Sequence, residues 1–213
     1  MIINIYMRFF LMNLFIVLSN AFNVAVVGAS SDLGREILYQ GIVERNLKMI
    51  GFSSKNRVFV PYRGNSFNKN GEMPEFKNDN LKIENYWGNV LGYNYDHIIF
   101  CTSAKPFQED YSDELTNKFI KNLPISCKSI SLVSAFGVGD SLKDGNLGIQ
   151  VMNNVYLKDV YRAKNIQEKL LKDDESNITK IIYRPRALSY GSTKLKSISR
   201  QQLAKEILDD LDL

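Results

Sequence analysis

Two glycines bracket a short polar stretch at the point where an apolar run changes into a helical pattern. The run 24–27 is continuous and rich in β-branched residues, which predicts a strand covered on both faces. Gly28 ends that strand, and Gly34 stands near the start of the following helix. The first amides of a helix have no partner within it, and the positive end of the helix dipole attracts anions. We therefore expect the amides between Gly28 and Gly34 to be unpaired, to face outward and to bind a phosphate group.

The same spacing matches the dinucleotide-binding turn, which places glycines in the pattern GxxGxxG between a strand and a helix. Here Ser31 occupies the middle glycine position. A serine Cβ at that position would crowd a pyrophosphate, although the hydroxyl could donate a hydrogen bond to it. The alternative is a glycine turn that binds no ligand. We favour the dinucleotide, because folds of this class bind ligands at the carboxyl ends of their strands.

The end of the second strand predicts which nicotinamide dinucleotide is bound. An acidic residue there accepts hydrogen bonds from the ribose hydroxyls, whereas basic or hydroxyl residues accommodate a 2′-phosphate. If the second strand is 47–52, the residues after it are Ser53, Ser54 and Lys55, with Arg57 close behind. If it is 57–64 instead, it ends in Arg63. Neither register offers an acid, so we predict NADP, with NAD as the alternative; the other interpretation is that these are ordinary solvated cations.

Strands that alternate with helical stretches predict the fold class. The chain has 213 residues, of which 45% are hydrophobic and 23% charged, and this suits one folded domain. Further strands are predicted at 81–88, 96–101, 129–137 and 178–185, and helices at 158–172 and after Ser199, the expected cap of the last helix. We predict an α/β protein, a doubly wound parallel sheet with the Rossmann fold, as a single domain over 22–213.

The first 21 residues form a separate segment. Arg8 is its single charge and precedes an apolar run over 9–18, followed by the small residues Ser19 and Ala21. This order is typical of a signal peptide or membrane-targeting segment. It predicts an organelle, with the plastid as one destination, or the secretory route, and an uncleaved anchor would associate with a membrane. The alternative is a mis-assigned start codon upstream of a cytoplasmic domain.

Composition excludes two classes of site. The net charge is +4, from 27 basic and 23 acidic residues, and so small an excess does not predict a nucleic-acid surface. Cys101 and Cys127 lie far apart, and the chain has one histidine, so too few soft ligands exist for zinc. We expect two reduced, buried thiols and no metal site.

Five stretches in order resemble the atypical short-chain dehydrogenase/reductases of the NmrA-like kind. They are VVGASSDLGREIL, DHIIFCTSA, SISLVSAFGVGDS, YRAKNIQEKLL and IIYRPRAL, and the resemblance covers nearly all of 23–213. It implies a sheet with NAD(P) laid across the strand ends. The residues that match the family's pyrophosphate loop are Gly28, Ser30, Ser31, Asp32, Leu33 and Gly34. Those that match its adenine and ribose contacts are Asn89, Val90, Thr102, Ser103 and Ala104. Those that match its nicotinamide side are Ser134, Lys164, Pro185 and Arg186.

The catalytic pair of this superfamily is only partly present. Its reductases use Tyr-x-x-x-Lys, in which the lysine charge lowers the tyrosine pKa so that the phenol exchanges a proton with the substrate carbonyl. Val160 stands four residues before Lys164 and cannot do this. Tyr161 is one position off, about 100° around a helix, and Tyr156 is further back. The resemblance implies catalytic roles for Ser134 and Lys164, with Tyr156 or Tyr161 as the replacement phenol.

Two functions fit this combination of an intact cofactor turn and an altered catalytic pair. One is an NADP-binding protein that acts as a regulator or assembly factor through a protein partner. The alternative is an NADPH-dependent reductase or epimerase that acts on a small carbonyl or sugar-nucleotide substrate.

Overall fold

The computed structural model describes residues 21–63, 73–86, 92–102, 111–144, 157–186, 188–189 and 197–211. Within these ranges, six strands form one parallel sheet. They are β1 (Ala21–Val27), β2 (Met49–Ser53), β3 (Leu81–Asn85), β4 (Asn94–Phe100), β5 (Ser129–Val133) and β6 (Thr179–Tyr183). Their order, β3-β2-β1-β4-β5-β6, is that of the doubly wound dinucleotide-binding fold, so the predicted fold class is confirmed. The two-residue strands β7 (Leu188–Ser189) and β8 (Ile198–Ser199) pair separately.

Helices cover both faces of the sheet. They are α1 (Asp32–Tyr39), which a π-helical turn continues over Gln40–Glu44, α2 (Ser112–Lys121), α3 (Lys158–Asp173) and α4 (Arg200–Asp209), with a 3₁₀ segment at Gly139–Asp144. α1 and α4 pack on one face of the sheet, and α2 and α3 on the other. Strand residues buried on both sides, such as the pair Val26 and Val27, explain why the strand sequences read as continuous apolar runs.

The pairing of β2 shows which residues form the second strand of the sheet. β2 lies between β1 and β3, so the alternative second strand at 57–64 is wrong. In that stretch Phe59 instead makes an isolated antiparallel bridge with Glu75, outside the sheet. Pro61 offers a physical reason, because a proline lacks the amide that a central strand must donate. Ser53, Ser54 and Lys55 therefore stand at the carboxyl end of the second strand.

The described part of the chain begins with the first strand of the sheet. β1 begins at Ala21, so the last residue assigned to the targeting segment is the first residue of the central strand. Residues 1–20 lie outside the described part of the chain. Among the described residues, no helix has the length and apolarity to cross a bilayer.

The strand order of the sheet reverses at its centre, between β1 and β4. β1 and β4 are neighbours, and the connections that leave them run to opposite sides of the sheet. Ligands in open α/β sheets bind in the crevice outside the carboxyl ends of such strands. Gly28 follows β1 there, and Cys101 and Thr102 follow β4.

Candidate dinucleotide site

Gly28 is required by both its backbone conformation and its surroundings. Its φ is +94°, and a Cβ there would lie 2.7 Å from the Cys101 carbonyl carbon and 2.8 Å from the Thr102 amide nitrogen. A side chain would therefore push apart the ends of β1 and β4 or strain the turn. This confirms that the chain turns tightly where the strand ends.

Gly34 lets the first turn of α1 rest directly on the strand end. A Cβ at Gly34 would collide with the Gly28 carbonyl oxygen. Ser31 is the N-cap of this helix, and its Oγ accepts a hydrogen bond from the Gly34 amide at 3.0 Å. The two glycines thus allow close backbone packing between the ends of β1 and β4 and the first turn of α1.

The amides of this turn are less available than the sequence predicts. The Gly28 and Ala29 amides both donate to the Phe52 carbonyl at 3.0 Å, and the Ser31 amide donates to the Gly28 carbonyl at 2.9 Å. The Gly34 amide is already capped by Ser31. The expectation that all amides between the two glycines are unpaired is therefore wrong, because the turn closes on itself and on β2.

Two amides of the turn remain as donors for a ligand. Among the described residues, no hydrogen-bond acceptor contacts the amide of Ser30 or of Leu33. Both precede the first intrahelical bond of α1, so they have no partner within the helix. Unpaired amides at a helix N-terminus, together with the helix dipole, are groups that can bind an anion.

The end of β2 is polar and carries positive charge. Ser53 is buried, and its Oγ accepts a hydrogen bond from the Lys55 amide at 3.2 Å. Ser54, Lys55 and Arg57 are exposed, and Arg57 stacks on the Phe59 ring at 5.3 Å. No acidic residue occurs within 53–57.

Arg63 lies away from this end of the sheet. It forms ion pairs with the buried Glu36 of α1 and with Glu44, and it stacks on the Tyr39 ring at 4.4 Å. Its guanidinium is committed to these carboxylates, whose attraction outweighs burial and raises the Arg63 pKa further. The alternative assignment of Arg63 to the cofactor is therefore corrected: it clamps residues 58–63 onto α1.

Lys164 lies at the other end of the candidate site, where β4 and β5 end. It projects from α3, is 5% exposed, and its Nζ donates hydrogen bonds to the main-chain carbonyls of Thr102 and Val133, the latter at 2.8 Å. Gln167, one turn further along α3, donates to the Thr102 hydroxyl at 3.0 Å. The lysine thus ties α3 to two neighbouring strand ends.

Tyr161 does not point toward Lys164. Its hydroxyl donates to the Phe136 carbonyl at 2.9 Å, and burial raises its pKa. A proton donor of the Tyr-x-x-x-Lys type needs a lowered pKa, and this phenol has the opposite shift. Tyr156 lies outside the described residues, as do Asn89, Val90, Ser103 and Ala104.

The remaining predicted residues follow β5 and β6 side by side. Ser134 is buried, and its amide donates to the Tyr183 carbonyl at 2.8 Å. The Pro185 carbonyl accepts a hydrogen bond from the Phe136 amide at 3.0 Å, and the exposed Arg186 stacks on the Phe136 ring at 4.5 Å. The strand pairing therefore brings Ser134, Pro185 and Arg186 to the same edge as Lys164.

The region around Lys164, at the ends of β4 and β5, is called the corner below. It is supported by an ion pair that the sequence analysis did not predict. Glu168, 2% exposed, accepts hydrogen bonds from Arg184 Nε at 2.9 Å and Nη2 at 2.6 Å. Burial alone would raise the Glu168 pKa, but the Arg184 guanidinium outweighs it and holds that pKa below its ordinary value. The signal was present in the sequence, because Glu168 stands four residues after Lys164 and so on the same buried face of α3.

Both cysteines are buried, as the sequence predicts. Cys101 and Cys127 are free and buried, and burial raises their pKa values to about 12 and about 11. Neither thiol is therefore ionised near neutral pH. Across the described ranges, no group of three or more histidine, cysteine, aspartate or glutamate side chains is arranged to hold a metal ion.

Three solved structures with a similar architecture are an anaerobillin reductase and two complexes with a nicotinamide dinucleotide. The anaerobillin reductase ChuY from Escherichia coli O157:H7 is 14% identical, with a TM-score of 0.57 over 88% of this chain and 89% of that one. A short-chain dehydrogenase/reductase from Veillonella parvula, in complex with NADP, is 11% identical, with a TM-score of 0.57 over 88% and 86%. The enzyme WbmH from Bordetella bronchiseptica, in complex with NAD+, is 12% identical, with a TM-score of 0.56 over 89% and 72%.

At this level of identity the likeness shows the fold alone. No protein-family model matches the chain, and no curated protein matches it significantly. The chain has the Rossmann fold found in the short-chain dehydrogenase/reductases. The narrower NmrA-like assignment stays a prediction.

Proposed function

We propose that this chain binds NADP across the carboxyl ends of its parallel strands and acts as an NADP-dependent regulator or assembly factor. The observation that carries the proposal is the turn after β1. There the amides of Ser30 and Leu33 have no hydrogen-bond acceptor among the described residues, and they stand at the N-terminus of α1, whose dipole attracts an anion.

The charge at the end of β2 supports NADP rather than NAD. Ser54, Lys55 and Arg57 are exposed where the adenosine ribose would lie. No acidic residue within 53–57 is available to accept hydrogen bonds from its hydroxyls. The architecture accommodates both dinucleotides in other proteins, since the Veillonella structure holds NADP and WbmH holds NAD+.

The corner around Lys164 favours binding without the usual reduction. A bound nicotinamide supplies a hydride, but reduction of a carbonyl also needs a proton donor. Lys164 donates to two main-chain carbonyls, and Tyr161 donates to a third. These side chains hold the corner together, and neither is arranged to pass a proton to a substrate.

The second candidate is an NADPH-dependent reductase or epimerase for a small carbonyl or sugar-nucleotide substrate. It is favoured by the arrangement of Ser134 and Lys164 at one edge of the sheet, next to Pro185 and Arg186. Here Tyr156 would donate the proton. The shared architecture with the anaerobillin reductase ChuY also supports this candidate.

One experiment separates the two candidates. The purified chain is titrated with NADPH and with NADH by fluorescence, and cofactor oxidation is then followed with a panel of carbonyl substrates. NADPH binding without turnover supports the regulator. Turnover that Tyr156→Phe abolishes supports the reductase, and failure of both dinucleotides to bind contradicts both candidates.

Lys55→Ala tests the choice of dinucleotide. Because an exposed ion pair contributes modestly, we expect NADPH affinity to fall about threefold to fivefold while NADH affinity stays unchanged. Lys169→Ala is the matched control, since Lys169 is equally exposed but stands near the end of α3 and hence at the opposite edge of the sheet. An equal loss for both dinucleotides would argue against a 2′-phosphate contact at Lys55.

We further infer that residues 1–21 direct the chain to an organelle or the secretory route. The support is the order of Arg8, the apolar run 9–18 and the small residues Ser19 and Ala21. A fluorescent fusion with and without 1–20 tests it. Cytoplasmic signal from both fusions would favour the alternative, a start codon assigned too far upstream.

A further inference from the structure

The turn between α3 and β6 carries the single Asn-x-Ser/Thr triplet of the chain. It consists of Asn177, Ile178 and Thr179, and no other asparagine among the 213 residues is followed two positions later by serine or threonine. A triplet of this kind, with a middle residue other than proline, is the acceptor of N-linked oligosaccharides in proteins of the secretory route. Because the motif is short, its position in the fold decides whether it can carry a glycan.

The two recognition residues of the triplet are both exposed. Asn177 lies in the turn, and its carboxamide makes no hydrogen bond or ion pair with another described residue. Thr179 is the first residue of β6, and its amide donates to the Lys128 carbonyl at 3.0 Å. Its hydroxyl makes no hydrogen bond with a described residue. Ile178, between them, packs against the core, so the middle residue anchors the triplet while the asparagine and threonine stay at the surface.

Other side chains hold the turn together. Lys180 Nζ forms an ion pair with the Asp174 carboxylate at 2.8 Å and donates to the Ser176 carbonyl at 3.2 Å. Ser176 Oγ donates to the same carboxylate. These contacts close the turn over 174–180 without using Asn177, so a bulky group on the Asn177 side chain would break none of them.

The triplet lies at the edge of the sheet opposite the candidate dinucleotide site. Thr179 pairs with Ser129 at the starts of β6 and β5, and the starts of parallel strands share one edge. The dinucleotide is expected at the other edge, outside the carboxyl ends of the strands. The five residues of β6 span roughly 16 Å at the usual rise of a strand. A glycan on Asn177 would therefore leave the cofactor crevice open.

We propose that Asn177 is the acceptor of an N-linked oligosaccharide when the chain enters the secretory route. The inference goes beyond cofactor binding, but it rests on the proposed targeting role of residues 1–21. The donor is an oligosaccharide linked to a polyprenyl diphosphate. Asn177 Nδ2 attacks the anomeric carbon of the first sugar, the bond from that carbon to the phosphate oxygen breaks, and a carbon–nitrogen bond forms. The polyprenyl diphosphate leaves, and one amide proton is lost to a base, so no oxidant or reductant is needed.

Translation of the full chain with endoplasmic-reticulum microsomes tests the assignment. Chains protected from added protease are treated with peptide N-glycosidase, which turns a glycosylated asparagine into aspartate, and the peptides are identified by mass spectrometry. We expect one glycan on each modified chain and an aspartate at position 177 after its removal. Asn177→Gln and Thr179→Ala should abolish the modification. Thr179→Ser keeps a hydroxyl, so it should retain part of it.

Ser176→Ala is the matched control. It removes a hydroxyl of the same exposed turn, one residue before the triplet, and should leave glycosylation unchanged. Melting temperatures of the unglycosylated variants should show that each is folded.

A second version of the chain, in which an established cleavable signal peptide replaces residues 1–20, distinguishes the failures. It retains all the described strands and helices. Glycosylation of this version alone would support Asn177 as the acceptor and contradict the targeting role of 1–21. Protease-protected chains of this version without a glycan at Asn177 would overturn the assignment. None of these outcomes bears on the binding of NADPH, which is tested separately.

Discussion

The turn after β1 and the corner after β4 and β5 lie at the same edge of the sheet but use their polar groups differently. In the turn, the amides of Ser30 and Leu33 have no acceptor among the described residues. In the corner, Lys164 and Tyr161 both donate to main-chain carbonyls of the protein. The polar groups of the corner are thus paired within the protein, whereas the two amides of the turn are the donors that the proposed function assigns to the dinucleotide.

This difference separates cofactor binding from catalysis. A turn can bind a diphosphate through backbone amides whatever side chains stand elsewhere. Proton transfer needs a specific side chain with a shifted pKa, and the Tyr161 pKa is shifted upward. The account therefore expects changes in the turn to affect binding strongly, and changes in the corner to affect mainly stability.

Gly28→Ala should have the largest effect. The new Cβ would clash with the Cys101 and Thr102 backbone. The turn must therefore shift, and this displaces the Ser30 and Leu33 amides. We expect the affinity for both NADPH and NADH to fall by about 100-fold or more, with an unfolding free energy lower by about 2 kcal/mol.

Gly92→Ala is the control for backbone strain. Its φ of +100° is similar to that of Gly28, but a Cβ there would meet no atom within 4 Å. This variant should lose about 1 kcal/mol of stability and bind dinucleotides normally. Equal binding by both alanine variants would refute the role given to the turn.

Lys164→Met should lower stability more than affinity. The Thr102 and Val133 carbonyls would lose a buried charged donor, at a cost of about 2–4 kcal/mol in unfolding free energy. Chemical denaturation measures this directly. Lys169→Met, on the exposed side of the same helix, should change stability by less than about 0.5 kcal/mol. If Lys164→Met left stability intact and abolished NADPH binding, the lysine would belong to the cofactor site instead.

Tyr161→Phe should have the smallest effect. It removes one partly buried hydrogen bond, to the Phe136 carbonyl, worth about 1 kcal/mol. Thermal denaturation would register the loss, and NADPH affinity should not change. A substrate whose turnover by the wild type disappeared in this variant would show that the phenol is catalytic after all.

Much of the fold could be predicted from the sequence because local patterns are enough for it. The apolar runs of β1, β2 and β4 and the Ser199 cap of α4 depend on neighbouring residues, and the structure confirms them. The glycine turn was recognisable for the same reason. The number of free amides was overestimated, because Ser31 caps Gly34 and Phe52 accepts two amides from across the sheet.

The corner could not be predicted to the same extent, because its contacts join distant parts of the chain. Lys164 meets the Thr102 and Val133 carbonyls, which are 62 and 31 residues away. Glu168 pairs with Arg184 of the strand end that follows. Only the pairing of β4, β5 and β6 brings these groups together, and single-sequence patterns do not contain it.

Backbone amide NMR of the isotopically labelled chain, recorded during titration with NADPH, tests the central claim most directly. We predict that the largest chemical-shift changes occur at the Ser30 and Leu33 amides and saturate with one NADPH per chain. The Lys164 corner should show smaller changes. Unchanged Ser30 and Leu33 resonances at millimolar NADPH would contradict the claim that this turn binds a dinucleotide.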